Sequence, residues 1–334
     1  MSEIDDLFGT LPAVIEPPAT PQLGPVAQGI LDLFNAGILK GGIFTDLPAA
    51  DYHALPFYSS SFLKRFKENP AGALLPFTPT KYTIRGQAGH AWILEGPDAF
   101  YSEFVVLPDD APKKPTSKQR EAKKPSDDTL SAIDWWDMFA EQAVGKTIIS
   151  SEDFTIIQEC DKVLKSFRPS RNKLLLKNNQ PEVSIIWQDT HTGAWCKARY
   201  DLLPDANTKS IFDLKLVSDA TEYGFYWKTI IGMNCYLQAG HYVKGLRVHD
   251  YDIDRFYFLG ALTAEPYTPV VYYASPGLLQ HGIDESERLI SLCESIKKSG
   301  QPFPNYKLPA HLWDIKELDM LYLVHEAELP TKRI

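Results

Sequence analysis

"SIFDLKLVSDA", residues 210–220, sets an acid and a base two positions apart inside a run that otherwise reads as a buried strand. Side chains alternate along a strand, so Asp213 and Lys215 share one face while Phe212 and Leu214 share the other. Two charges on one face of a sheet are costly unless something binds them. Alone, the tripeptide reads first as an exposed cross-strand ion pair of little energetic consequence. The acid-x-Lys pattern recurs at Glu121–Lys123 and at Asp314–Lys316, one in a polar loop and the other with no carboxylate-bearing strand upstream. Neither is assigned a function.

The strands upstream supply the context. "VSIIWQD" (183–189), "AWCKARYDLL" (194–203) and "SIFDLKLV" (210–217) are rich in β-branched and aromatic residues, and the turn-like "THTG" and "PDANTK" separate them. Three consecutive antiparallel strands follow. With the second turn centred near Asn207, Asp201 lies across from Asp213, and directly opposed like charges are destabilising. A divalent cation reverses that sign. The first turn, centred near His191, brings Glu182 to the same end of the sheet, within a register error of one or two. Three carboxylates and a lysine then converge, and oxygen ligands of this kind suit Mg²⁺ or Mn²⁺ rather than zinc. Arg199 and Lys197 alternate onto the face of Asp201, where they either meet a phosphate or pair with the carboxylates. Trp195 shares that parity and reads as packing.

Elsewhere the helical period dominates. In "YSSSFLKRFKENPAG" (58–72) the serines offer an N-cap, Phe62, Leu63 and Phe66 share a face, and Asn69-Pro70 stops the helix. In "TIRGQAGHAWILEG" (83–96) small residues surround His90, letting something approach it closely, and the apolar run continues as a buried helix. Ser151 reads as the N-cap of a helix whose apolar positions are Ile156, Ile157, Cys160, Leu164 and Phe167. A helix through "YLQAGHYVKGL", strands at "RFYFLGAL" and "VVYYA", and a helix from about Asp284 to Lys298 complete the order. The fold class is α/β: a mixed sheet flanked by helices.

Composition sets the outer limits. The 334 residues are 44% hydrophobic, enough for a sizeable core. Residues 1–25 carry five prolines and read as a flexible tail, leaving 26–334 as one domain. Within it, residues 107–127 form a loop without an apolar face that concentrates Lys113, Lys114, Lys118, Arg120, Lys123 and Lys124, solvated or in touch with a polyanion. A net charge of -9 argues against a uniformly basic nucleic-acid binder but leaves room for a local basic groove. No basic-then-apolar leader and no stretch of about 18 apolar residues occurs, so a cytoplasmic protein without membrane contact is expected. Cys160, Cys196, Cys235 and Cys293 stand singly and read as reduced thiols. "AVGKT" (143–147) lacks the glycine a phosphate-binding loop needs, because Ala140 stands there.

"YSSSFLKRFKENP", "GQAGHAWILEGPDAF", "PEVSIIWQDTHTGAWCKARYDLL", "IFDLKLVSDA" and "YLQAGHY", in this order, resemble the C-terminal nuclease domain of RecE-type exonuclease VIII, within the PD-(D/E)XK nuclease superfamily. The likeness covers about residues 50–310. It implies that His90, Asp201 and Asp213 contact the metal, joined by the Leu214 carbonyl. Lys215 would orient or activate the attacking water and offset charge on the phosphate, and Glu182 matches an acidic position of the family. Gln238 and Tyr242 match a Gln-x-x-x-Tyr element, and four residues apart on a helix they point the same way. The implied activity is Mg²⁺-dependent digestion of one strand of a DNA duplex from its 5′ end, leaving a 3′ single strand for recombination. A ring-like homo-oligomer and a RecT-type single-strand annealing partner come with the resemblance. Another PD-(D/E)XK endonuclease, or a catalytically silent DNA-binding or phage assembly adaptor, are the alternatives.

Overall fold

In the computed structural model of the chain, residues 23–166, 180–203 and 209–305 are described. Residues 1–22 of the proline-bearing segment, the turn around Asn207, Phe167 and the Asp314–Lys316 stretch lie outside them, and Pro25, taken as the end of the tail, opens a helix. The chain divides into two units, one of residues 1–39 and 46–56, the other of 40–45 and 57–334. In the first, helix α1 (Pro25–Asn35) buries Ala27 and Ile30, and α2 (Ala49–Ala54) buries Tyr52. Both Asp51 carboxylate oxygens accept from the Gly24 N–H at 3.1 Å.

The second unit is built on a six-stranded sheet of order β1-β4-β5-β6-β7-β8. Its strands are β1 (Gly42–Phe44), β4 (Gln180–Gln188), β5 (Trp195–Leu203), β6 (Ser210–Val217), β7 (Arg255–Leu262) and β8 (Pro269–Tyr273); β2 (Phe104–Leu107) and β3 (Thr147–Ser150) form a separate parallel pair. β4, β5 and β6 are consecutive and antiparallel, whereas β6 and β7 are parallel. The sheet is therefore mixed, as the sequence pattern implies.

Helices cover both faces. On one side lie α3 (Ser60–Glu68), α10 (Cys235–Val248) and α11 (Pro276–Ser299), whose apolar residues join Ile185, Trp187, Ala198, Tyr200 and Phe258 in the main core. α10 and α11 cross closely because Gly240 and Gly282 face each other: a Cβ on Gly240 would stand 2.1 Å from the Gly282 carbonyl carbon. On the other side lie α4 (Lys81–His90), its π-helical extension Ala91–Glu95, and α8 (Ser151–Ser166). Ile93, Cys160 and Leu164 pack there on Leu214, Leu259 and Ala261. α5 (Pro97–Glu103), α6 (Ser117–Arg120), α7 (Asp127–Gln142) and the short α9 (Glu222–Gly224) fill the connections.

Several boundaries differ from the sequence reading. The Oγ of Ser150, not of Ser151, caps α8 by accepting from the Asp153 N–H at 3.1 Å, and it donates back to the Asp153 carboxylate. α11 begins eight residues earlier than its apolar pattern suggests, because Ser275 caps it on the Leu278 N–H and Pro276 fits its first turn. Gly145 sits in a turn at φ 73 ahead of β3, so the "AVGKT" stretch opens a strand instead of a phosphate-binding helix. No helix among the described residues is long and apolar enough to cross a membrane.

Candidate active site

Asp201 and Asp213 lie where β5 and β6 meet. Leu202 stands opposite Phe212, the register that places Asp201 across from Asp213. Continued as a ladder, β6 would then donate the Leu214 N–H to a carbonyl of β5. It donates instead to Asp201 Oδ2, at 2.7 Å. The carboxylate thus takes the place of a backbone acceptor at the edge where the two strands part.

Three side chains converge here: His90, Glu182 and Asp201 each place a ligand atom within 4.8 Å of the others. His90 comes from the last turn of α4. Its Nδ1 lies 3.5 Å from Asp201 Oδ1 and 3.8 Å from Glu182 Oε1, and its Nε2 lies 3.1 Å from the Leu214 carbonyl oxygen. Gly89 lets α4 come this close, since a Cβ there would meet Leu216 at 2.4 Å. Glu182 reaches the group from β4 with φ at 55, a left-handed conformation that a non-glycine residue adopts at a cost and that concentrates at functional sites. Its neighbours Pro181 and Val183 keep their ladder positions opposite Leu202 and Tyr200, so only Glu182 is turned aside.

Asp213 and Lys215 form a second group. Asp213 is 1% exposed; its Oδ2 pairs with the Lys215 ammonium, and its Oδ1 accepts from Gln238 Nε2 on α10 at 2.7 Å. Lys215 Nζ also lies 3.4 Å from the Leu214 carbonyl. Leu214 joins the groups: its N–H binds Asp201, and its carbonyl faces both His90 and Lys215. The sequence reading put Asp213 beside Asp201 among the ligands; in the structure the three-residue cluster takes Glu182 in its place, and Asp213 is held by Lys215 and Gln238.

The charges balance locally. Burial would depress His90, but the carboxylates of Asp201 and Glu182 outweigh it and raise its pKa to about 9. Burial, with Asp213 adding to it, pushes Asp201 up to about 6. Burial also opposes the ionised form of Glu182, yet His90 and Arg199 win and hold it below the usual carboxylate range. Lys215 is raised because Asp213 overcomes the cost of its burial. A cluster that holds a proton this tightly is one that a cation satisfies, and two carboxylates, an imidazole and a carbonyl form a donor set fit for a divalent metal.

The remaining sequence candidates separate. Arg199 pairs with Glu182 Oε2 at 2.6 Å and reaches Ser184 Oγ at 3.2 Å, the ion-pair alternative for this residue. Lys197, for which the sequence left phosphate contact and carboxylate pairing open, is 4% exposed, and burial lowers its pKa to about 7; a side chain so enclosed is not displayed to DNA. Tyr242 is also buried: its ring lies 4.7 Å from that of Tyr200, and its carbonyl accepts the Tyr200 hydroxyl at 2.6 Å, tying α10 to β5. Trp195 packs near Phe57, the rings 6.0 Å apart.

Lys64 on α3 was not singled out in the sequence. Its Nζ donates to Gln238 Oε1 at 3.0 Å, and burial lowers its pKa. This contact fixes which end of the Gln238 amide faces Asp213, extending the chain Lys215–Asp213–Gln238 by one residue. Its polar place inside the Phe62–Phe66 apolar run was the available signal.

Acids and a lysine on two parting strands, with a mixed sheet between helical layers, define the class: a PD-(D/E)XK nuclease domain. Within it, the chain belongs to the family described as a PDDEXK-like domain of unknown function (DUF3799), whose model matches residues 59–306. A crystal structure from Eubacterium rectale, described as a "Putative exonuclease", is similar in fold, with a TM-score of 0.53 at 14% identity over 86% of this chain and 96% of that one. No curated protein matches the chain.

Proposed function

We propose that the protein is a Mg²⁺-dependent exodeoxyribonuclease that shortens one strand of duplex DNA from an end. The observation that carries this reading is Leu214, whose backbone joins the His90–Glu182–Asp201 cluster to Asp213 and Lys215. His90, Glu182 and Asp201 would hold the metal with the Leu214 carbonyl, Asp213 standing at its edge; a single imidazole among oxygens admits Mn²⁺ as well. When bound, a divalent ion activates water and neutralises charge on a phosphoryl oxygen. Lys215, kept protonated by Asp213, sets a fixed positive charge beside the attacked phosphate. Gln238 orients Asp213, and Lys64 orients Gln238. End-dependence draws support from the fold likeness to the structure described as an exonuclease. The 5′-to-3′ polarity, the ring-like assembly and a RecT-type annealing partner rest on the RecE resemblance.

The test compares wild type, Asp213→Ala and Lys215→Ala on end-labelled linear duplex and on closed circles, with Mg²⁺ or EDTA. Digestion of the linear duplex alone, lost in EDTA and in both variants, is expected. Cutting of closed circles would make the enzyme an endonuclease instead. Absence of any cleavage by wild type would leave the silent-adaptor reading.

A further inference from the structure

The basic segment between β2 and β3 is not a loose loop. Residues 113–124, "KKPTSKQREAKK", hold six cations against one acid in a chain whose net charge is -9. The segment is held in shape at several points. Thr116 and Gln119 form a reciprocal cap around the four-residue helix α6. The Trp136 indole N–H donates to the Pro112 carbonyl at 2.8 Å, Lys114 Nζ stands 5.1 Å from the Trp136 ring, and Arg120 pairs with Asp137 at 2.8 Å. Behind these contacts, Trp135 stacks on Phe139 at 5.3 Å, so α7 serves as an aromatic and acidic backing plate.

This backing uses few of the charges. Lys113, Lys118, Lys123 and Lys124 are exposed, and none of them forms an ion pair among the described residues. Holding like charges together costs energy, and here the fold gains no ion pair from these four. The segment also lacks any large apolar or aromatic side chain, which a protein interface needs as an anchor. Compact lysine charges on a fixed frame, with nothing to read a sequence, match a phosphate backbone. The frame grows from β2 and β3, whose Phe104 and Ile149 pack with Ala88 and Ala91 in the cluster that seats the end of α4 bearing His90.

We propose that residues 113–124 form a sequence-independent grip on the backbone of duplex DNA, separate from the groups that perform the chemistry. The proposal rests on the nuclease reading for its substrate and adds a surface to it. Each lysine that neutralises a phosphate releases counterions, so affinity falls with salt at a slope of about 0.9 per contact.

The test measures binding of a short fluorescein-labelled blunt duplex in EDTA across a salt series, for wild type and for the variant combining Lys113→Ala, Lys118→Ala, Lys123→Ala and Lys124→Ala. Expected is a shallower log–log slope, by about three to four if all four lysines touch phosphate, with single-turnover cleavage at saturating DNA in Mg²⁺ unchanged. An unchanged slope overturns the grip, whether or not light scattering then shows a smaller particle, which would assign the segment to contacts between copies. The two proposals fail separately. A shallower slope with no cleavage by wild type keeps the grip and removes the nuclease; cleavage lost in Asp213→Ala beside an unchanged slope does the reverse.

Discussion

Asp201 Oδ2 accepts the Leu214 backbone N–H at 2.7 Å, so one carboxylate serves at once as a strand connector and as a member of the metal-capable cluster. The two duties separate by substitution. Asp201→Asn keeps an acceptor for Leu214 but loses the charge; Asp201→Ala loses both. Thermal unfolding is expected to be close to wild type for Asn and lowered for Ala by about 1–3 kcal/mol, the cost of orphaning a buried N–H. Calorimetric Mg²⁺ binding is expected to weaken in both. Equal destabilisation by Asn and Ala would remove the connector role.

Lys215 carries the largest expected effect on rate among the non-ligand groups. Removing one preorganised stabiliser of a developing oxyanion costs roughly 10² to 10³ in rate, and Lys215→Met should fall by that much under single-turnover conditions. The variant also leaves Asp213 buried beside Gln238 without its ion-pair partner. Breaking a buried pair costs about 3–5 kcal/mol, so Lys215→Met should unfold more readily than Lys215→Met combined with Asp213→Asn. A double variant no more stable than the single one would show that the pair does not constrain the fold.

Much of the site was legible because strand registers are arithmetic. A turn near Asn207 puts Asp201 opposite Asp213, and the Leu202–Phe212 pair has that frame. The first hairpin places Glu182 opposite Asp201, within the stated error. Pairing rules assume that the ladder continues, and here it does not. Once Leu214 turns to the Asp201 carboxylate, register alone no longer says which partners each acid takes: Asp201 groups with His90 and Glu182, the latter turned by its left-handed backbone, while Asp213 is held by Lys215 and Gln238. Lys197 failed for another reason: parity gives a face, not its cover, and this face is closed by packing. β1, β2 and β3 have three or four residues each, too few to show a period. α7 hid because Phe139 alone of its apolar residues is buried, with Trp135 stacked on it within the helix.

His241 makes stability depend on pH. It is fully buried in α10, its Nδ1 2.9 Å from Ser286 Oγ and its Nε2 3.1 Å from the Lys197 carbonyl oxygen, and burial first, with Lys244 adding to it, lowers its pKa from 6.5 to about 4. The Asp189 carboxylate faces it as an opposing influence. Between those values the unfolded chain binds a proton that the folded one refuses. Stability is therefore full above pH 6.5 and falls as pH drops toward 4, by on the order of 3 kcal/mol in all. Urea unfolding at pH 7.5, 6, 5 and 4 should show this decline, and His241→Gln should flatten part of it. A variant with the wild-type slope would exclude His241 as its source.

Lys64 is expected to act through Gln238 alone. Because its ammonium binds Gln238 Oε1, the amide presents Nε2 to Asp213. With Lys64→Met the amide is free to turn, and a turned amide sets its oxygen against a carboxylate. The single-turnover rate should drop by about tenfold, the equivalent of one charge-assisted hydrogen bond at 1.5–3 kcal/mol discounted for relaxation, while DNA affinity stays within twofold. Lys64→Arg should recover most of the rate, since it restores a donor to Oε1. The decisive comparison is a double-mutant cycle with Gln238→Ala: once the amide is gone, Lys64→Met should cost almost nothing more, giving a coupling between about 0.5 and 3 kcal/mol. Additive losses in that cycle would mean that Lys64 touches the DNA or the fold directly and does not position Gln238.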